Sequence, residues 1–506
     1  MSTTKIFLTS VLMLLFCSSF LVSPTKKNNE YSWYTSQYEN VMGTSMDVSV
    51  KSTNEMLAEQ ATAIMIAEIK RLSTILSAYQ SQSELSRWIK TRGKPVKVSN
   101  ELMEVLQLFD YWHQQTGGAI EAGYEEAAIV WKNAAKQQKM PGKADLATAI
   151  SNMQQQHWNL DSVNGTATHL TDVPLVLNTF TKSYIIQKAV AAAKKSSGVQ
   201  SVSLNIGGDV FVSGADAVAL PVTNPFHAAG NDEPLLTLSV SNKAVATSGN
   251  YRRGVNILGK WYTHIIDPRT GWPVDNIVSA TVVASDAVIA GAMATAFTIL
   301  SPEQSKQLAA QYPGVEFLLV DKNGKIFASE NWSGAMPGSN PKPKGQVMIA
   351  DQGWNKGHQL QIDLEIARIS EQFVHRPFVA VWVEDANHKP VKLLSVWYNK
   401  PKWLRDLREF YKNYGANFSP GAMAMSAAAG ATRSAGKYSL VWDGKDEAGN
   451  YVPAGVYTIQ IEAAREHGTY QIMSGAIECG KKLATVTLAG NIEIAAASLS
   501  YVKAEK

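Results

Sequence analysis

Thr247-Ser-Gly-Asn-Tyr-Arg252, followed by Tyr262-Thr-His-Ile-Ile-Asp-Pro-Arg-Thr-Gly-Trp-Pro273, is the most informative stretch of this chain. Val255 to Ile266 carries the β-branched residues of a strand, and Pro268 to Gly271 has turn chemistry. His264 and Asp267 flank the strand end, so this reading puts an imidazole near a carboxylate at a rigid corner. Such a pair serves as a structural hydrogen bond more often than as a catalytic couple, and spacing alone does not separate the two. Outward from this corner, Asn54 to Tyr79, Leu102 to Gln115 and Thr181 to Ala193 show the helical period, while Ser201 to Ile206 reads as a strand. Helices and strands interleave through residue 330, which predicts an α+β domain over residues 38–332.

Beyond it the character changes. Ser333 to Lys344 has the Pro/Gly/Ser composition of a linker, placed at 333–346. His358 to Ile366 then alternates strictly, Phe378 to Val383 reads as a buried strand, and Tyr457 to Ile461 alternates again. Residues 347–490 are therefore expected to form a smaller, all-β sandwich. At the other end, Lys5 precedes a short apolar run from Ile6 to Phe16 and a small-residue exit, the pattern of a signal peptide over residues 1–23. Export to the periplasm is the expectation, and lipid anchoring at Cys17 is disfavoured because bulky Phe16 precedes it. With 506 residues, 45% hydrophobic and 18% charged, the chain can bury several cores, and neither disorder nor a coiled coil fits. Lys and Arg number 47 against 43 Asp and Glu, with no dense basic block, which argues against nucleic acid. Two cysteines exclude a disulfide framework.

Ser203-Leu-Asn-Ile-Gly-Gly-Asp-Val210 places Gly207, Gly208 and Asp209 after a β-run. Paired glycines allow close backbone approach and free N–H groups for phosphate oxygens, although a plain hairpin turn has the same composition. Asp286 to Phe297 reads as a small-residue helix that packs closely, with Gly291 and Thr295 on one face.

Taken in order, Met42-Gly-Thr44, Ser83-Glu-Leu-Ser-Arg87, Asn205-Ile-Gly-Gly-Asp209, Thr247-Ser-Gly-Asn-Tyr251 and His264-Ile-Ile-Asp-Pro-Arg-Thr-Gly271 resemble the motifs of the ApbE-like FAD:protein FMN transferases over roughly residues 40 to 330. The resemblance implies that FAD is cleaved at its pyrophosphate, that FMN is esterified to a Thr or Ser hydroxyl of a protein acceptor, and that AMP leaves. It implies His264 as base or hydroxyl positioner, oriented by Asp267, and Mg²⁺ as the neutralising cation with Thr295 among its ligands. Met42, Gly43, Thr44, Ser83, Glu84, Lys182, Gly207, Gly208, Asp209, Ser248, Gly249, Tyr251 and Thr270 are the implied flavin-site residues.

Two departures stand out. Gly291 occupies the place of a metal-ligand Asp, and Lys182-Ser-Tyr-Ile-Ile-Gln187 replaces a Lys-Gly-Tyr-x-x-Asp pattern. Hard cations need oxygen ligands, so these changes imply weakened Mg²⁺ binding. They leave a second reading open, a degenerate flavin-binding redox module that another transferase loads with covalent FMN. The C-terminal part resembles an uncharacterised periplasmic domain found with flavin transferases. Its Ala429-Gly-Ala-Thr-Arg-Ser434 is similar to the short segment that accepts FMN, which makes Thr432, on an expected surface loop, the candidate acceptor. Extracytoplasmic redox proteins are the implied partners.

Overall fold

The computed structural model describes residues 30–226, 234–250, 253–334, 354–355, 357–371, 373–398, 401–415, 429–430, 432–466, 468–480 and 482–504. The signal peptide, Cys17, Tyr251 and most of the expected linker lie outside them.

A nine-stranded antiparallel sheet organises the first domain. Its order is Ile326–Ala328, Glu316–Asp321, Ile277–Ala284, Lys243–Gly249, Asp209–Ser213, Val199–Ile206, β2 (Thr44–Ser52), β1 (Ser32–Val41) and Val374–His375. The period of two sorts its faces. Met46, Val48 and Val50 of β2 are buried under α1 (Glu55–Leu76), while Asp47, Ser49 and Lys51 face the other way. α1 is started by Asn54, whose side chain accepts the Leu57 N–H, and it buries Ala61, Met65, Ile69 and Leu72 at helical spacing.

The four further helices of the first part of the domain are α2 (Glu84–Ile89), α3 (Asn100–Gln115), α4 (Glu125–Gln137) and α5 (Lys143–Met153). Next come α6 (Asn178–Ala193) and α7 (Ala287–Ile299), which pack against each other and the same sheet face. α7 is rich in small residues, with Ala290, Gly291, Ala292, Ala294 and Ala296 all buried. Part of the opposite face is covered by the hairpin Val218–Val222/Leu236–Val240, which closes a small core with Val210, Val212, Val245 and Val283.

The expected strand over 255–266 is instead a hairpin, Gly254–Ile257 with Lys260–Thr263. Leu258 and Gly259 form its two-residue turn with φ of 52° and 80°.

The C-terminal region is a sandwich of a four-stranded and a five-stranded sheet. Phe378 to Val383 is buried on both faces: Val379, Val381 and Val383 enter the inter-sheet core with Trp354, Trp442 and Cys479, and Phe378, Ala380 and Trp382 pack under Leu404, Leu407 and Phe410. Glu462, fully buried, accepts the N–H groups of Glu409 and Phe410 at the start of the helix Arg408–Tyr414. The last strand is Ile494–Lys503, so the sheet continues past the expected limit of 490.

This domain also reaches into the first sheet. His375 and Val374 pair with Tyr38 and Glu39 and cover part of the edge of β1. Just beyond, Arg465 forks onto Glu493 at 3.2 and 2.6 Å, and both side chains are almost wholly buried. Arg465→Met would strand that carboxylate, so the transition of the C-terminal domain in urea is expected to lose about 3–5 kcal/mol. An unchanged midpoint would show that the pair carries no stability.

Candidate functional site

Two hairpin tips stand side by side at one end of the sheet. Met42-Gly43 joins β1 to β2 with φ of 53° and 77°, and Gly207-Gly208 joins Val199–Ile206 to Asp209–Ser213 with φ of 60° and 97°. Because β2 pairs antiparallel with Val199–Ile206, both tips open the same way. Thr44 fills the space a side chain at Gly207 would need, whereas a side chain on Gly208 would meet nothing within 4 Å. Of the two readings open to this Gly-Gly-Asp segment, the structure shows the hairpin turn, and its glycine amides are engaged within the protein. Gly207 N–H donates to Ser45 O at 3.0 Å, and Gly208 N–H donates to Asn205 Oδ1 at 3.0 Å. The glycines serve shape and close approach, and positive charge comes from elsewhere.

That charge is Lys182 on α6, whose Nζ lies 3.8 Å from Asp209 Oδ2. The same oxygen accepts the Ser183 hydroxyl at 2.9 Å. Met42, Gly43, Thr44, Lys182, Gly207, Gly208 and Asp209 are thus gathered in one place. Ser248 and Gly249 end the strand Lys243–Gly249 at this same end of the sheet, facing Ala280 and Ser279.

The His264 corner is built differently from expectation. Asp267 does not orient His264. Its carboxylate is taken by Arg269, from Nε to Oδ1 and from Nη2 to Oδ2, both 2.8 Å, and from the Arg269 N–H at 2.9 Å. The turn brings residue 269 back over residue 267, and a planar guanidinium matches a carboxylate better than an imidazole can. His264 instead places Nδ1 3.1 Å from Arg253 O, where a protonated Nδ1 donates and leaves Nε2 as the acceptor. Its pKa is lowered, chiefly by desolvation and also by the Arg253 charge. Trp131 Nε1 donates to Gly271 O at 2.8 Å and anchors the corner on α4, and Thr270 is exposed.

Ser83 and Glu84 hold local structure. Ser83 caps α2 by accepting from Ser86 N at 3.0 Å, and Glu84 accepts from Ser99 N at 2.6 Å at the cap of α3. Nearby, Glu121 is clamped between His113 Nδ1 at 3.0 Å and His157 Nε2 at 3.1 Å. Burial alone would raise its pKa, but hydrogen bonds from His113, His157 and Gly123 N–H outweigh it and hold the carboxyl at about 2.

The donor set does not form the Mg²⁺ site implied by the resemblance. A Cβ at Gly291 would overlap Ser183 Oγ and stand 3.0 Å from Ser183 Cβ. Gln187 donates to Asp286 at 2.9 Å and accepts from Ala287 N at 2.7 Å, while Asp286 also caps α7 through Ile289 N. Asp209 is engaged by Ser183, and Thr295 stands half-buried without a carboxylate partner of this kind. No group of three or more His, Cys, Asp or Glu residues among the described residues is arranged for a metal ion. Ser183, whose side chain occupies the place of one on residue 291, was missed in the sequence because the two are far apart along it.

Thr432 also lies differently from expectation. It is 2% exposed, with its hydroxyl donating to Gln37 on β1 and its carbonyl accepting from Arg376 at 3.1 Å. Most of the loop before it, 416–428, lies outside the described residues.

Residues 42–319 match the ApbE family, and the chain belongs to that family. Residues 359–496 match a family described as "Predicted periplasmic protein (DUF2271)". A FAD:protein FMN transferase of Treponema pallidum (strain Nichols) is 27% identical over 341 residues, covering 63% of this chain and 92% of the relative. One from Klebsiella pneumoniae (strain 342) is 25% identical over 295 residues, covering 56% and 84%. The crystal structure of the ApbE protein of Thermotoga maritima shares the fold with a TM-score of 0.53 at 22% identity, over 59% of this chain and 97% of that one.

The packing of Ser183 against Gly291 yields a test. Gly291→Asp alone is expected to expel Ser183 from Asp209 and to destabilise the protein by roughly 1–3 kcal/mol. Ser183→Gly/Gly291→Asp relieves the overlap, and Mn²⁺ titration by calorimetry should detect a site in the double variant alone. Equal cation binding by wild type and the double variant would overturn this account.

Proposed function

We propose that this chain is an exported FAD:protein FMN transferase. The carrying observation is the convergence of Lys182 and Asp209 at the open Gly208 surface, at the end of the sheet where Ser248 and Gly249 also terminate. Family membership and the relatives' names support the reaction class. In the step, an acceptor hydroxyl oxygen forms a bond to the FMN phosphorus, the P–O bond of the diphosphate breaks, and AMP leaves with the bridging oxygen. Lys182 neutralises phosphate charge through an electrostatic contact that strengthens as the diphosphate opens. His264 takes the hydroxyl proton at Nε2, and Arg269 keeps Asp267 and the turn in place. FAD is the substrate, FMN the covalent product, and Mg²⁺ dependence is expected to be shallow because Gly291 supplies no carboxylate.

The acceptor hydroxyl is on a partner protein or at Thr432. For Thr432 to act, its contacts with Gln37 and Arg376 must open first. The second reading, a degenerate module loaded by another transferase, is favoured by Ser183 filling the space at Gly291. The amino-terminal pattern and the description of the second family support periplasmic residence. No helix among the described residues is long and apolar enough to cross a membrane.

Intact mass separates the readings. The mature protein, made without any other transferase, should gain FMN less water when given FAD and Mg²⁺, or load a supplied acceptor peptide with release of AMP. No AMP under either condition would leave the degenerate module.

The pH profile tests His264. A base must be neutral, and lowering its pKa keeps it neutral further into acid. The acidic limb is therefore expected below the ordinary His value of about 6.5. His264→Ala should lower kcat by roughly 10²- to 10⁴-fold and remove that limb.

A further inference from the structure

Across the face of the sheet away from α1, Gln37, Asp47 and Asn205 are cross-strand partners on three adjacent strands. Arg376, only 5% exposed, reaches this row from the second domain. Its Nε donates to Glu39 at 2.7 Å, its Nη1 donates to Thr432 O, and Nη1 lies 2.6 Å from Asp47 Oδ1, an ion pair by distance though off the hydrogen-bonding direction. Asp47 Oδ2 accepts from Asn205 Nδ2 at 3.2 Å, and Asn205 Oδ1 accepts from Gly208 N–H.

The chemistry of this chain of contacts is directional. A guanidinium only donates and a carboxylate only accepts, so Arg376 and Asp47 compel Asn205 to present its amide nitrogen to Asp47 and its carbonyl oxygen to Gly208. A flipped Asn205 would set an N–H₂ against the Gly208 N–H and leave the turn without its acceptor. We propose that Arg376 is a positioning residue: through Asp47 and Asn205 it fixes the Gly207-Gly208 turn, so the docked second domain sets the shape of the flavin site. The functional part of this inference rests on the transferase reading, whereas the relay itself stands on the contacts alone.

The test uses the full chain. Asp47→Asn is nearly isosteric but has a single carbonyl for two donors: with that oxygen held by the Arg376 guanidinium, its NH₂ is set against Asn205 Nδ2 or flips Asn205. Asp47→Asn/Asn205→Asp restores the order of donors and acceptors, with the charge moved one residue along. Hydrogen exchange of the Gly208 amide needs no flavin. It should accelerate at least tenfold in Asp47→Asn and return to within about threefold of wild type in the double variant, by the logic of a double-mutant cycle. FAD affinity, followed by flavin fluorescence, should weaken about tenfold and recover in parallel. Arg376→Met should accelerate Gly208 while leaving the amides of Val199–Ile206 protected.

Unchanged Gly208 exchange in Asp47→Asn, or no recovery in the double variant, overturns the relay. So does exchange in Arg376→Met that rises equally along the whole strand. Wild type that exchanges as expected but does not bind FAD overturns the transferase reading and leaves the relay standing.

Discussion

Polar atoms on a sheet face must be hydrated or partnered, and in this protein that constraint joins the two domains. Most of the first sheet solves it with apolar side chains beneath helices or the Val218–Val240 hairpin. The β1, β2 and Val199–Ile206 strands do not, since they present Gln37, Asp47 and Asn205 there. Arg376 and Thr432 supply what the row lacks, a buried cation beside two carboxylates and a hydroxyl beside an amide. Pairing of Val374–His375 with β1 fixes the register at which these groups meet. Burial raises the pKa of Glu39, and the Arg376 charge with its hydrogen bond opposes that rise.

Beside the same Gly207-Gly208 turn, where α6 and α7 meet, the site trades charge for packing. Ser183 gives Asp209 a neutral donor and takes up the volume above Gly291. Gln187 does the same at Asp286, which it ties to the start of α7. Both side chains close hydrogen bonds inside the protein with carboxylates that could otherwise face a cation. What remains is the Lys182 and Asp209 pair beside an open glycine, and, on a separate corner, the His264 imidazole, whose pKa burial lowers.

The fold was legible wherever burial imposed a clean period. α1, α3 and α6 follow the apolar spacing, and the alternation of His358–Ile366 marks a sheet face. α4 and α5 left weaker marks because much of the face that α4 buries is alanine, from Ala127 to Ala134, and alanine adds little to a hydrophobic period. The Gly254–Thr263 hairpin read as one strand because its turn uses Leu258, a residue that rarely adopts positive φ. The motifs do not reveal the partners of their own residues. Asp267 beside His264 in sequence turned out to belong to Arg269, and Ser183 with Gly291, or Asp47 with Arg376, are pairings that only the folded chain creates.

Cys479, the cysteine of the described region, lies 1% exposed in the sandwich core, and burial pushes its thiol up to about 12. Thiol exchange proceeds through the thiolate, so at neutral pH this sulfur offers oxidants almost no nucleophile. Once the sandwich has closed around it, such a thiol is shielded from capture as a mixed disulfide.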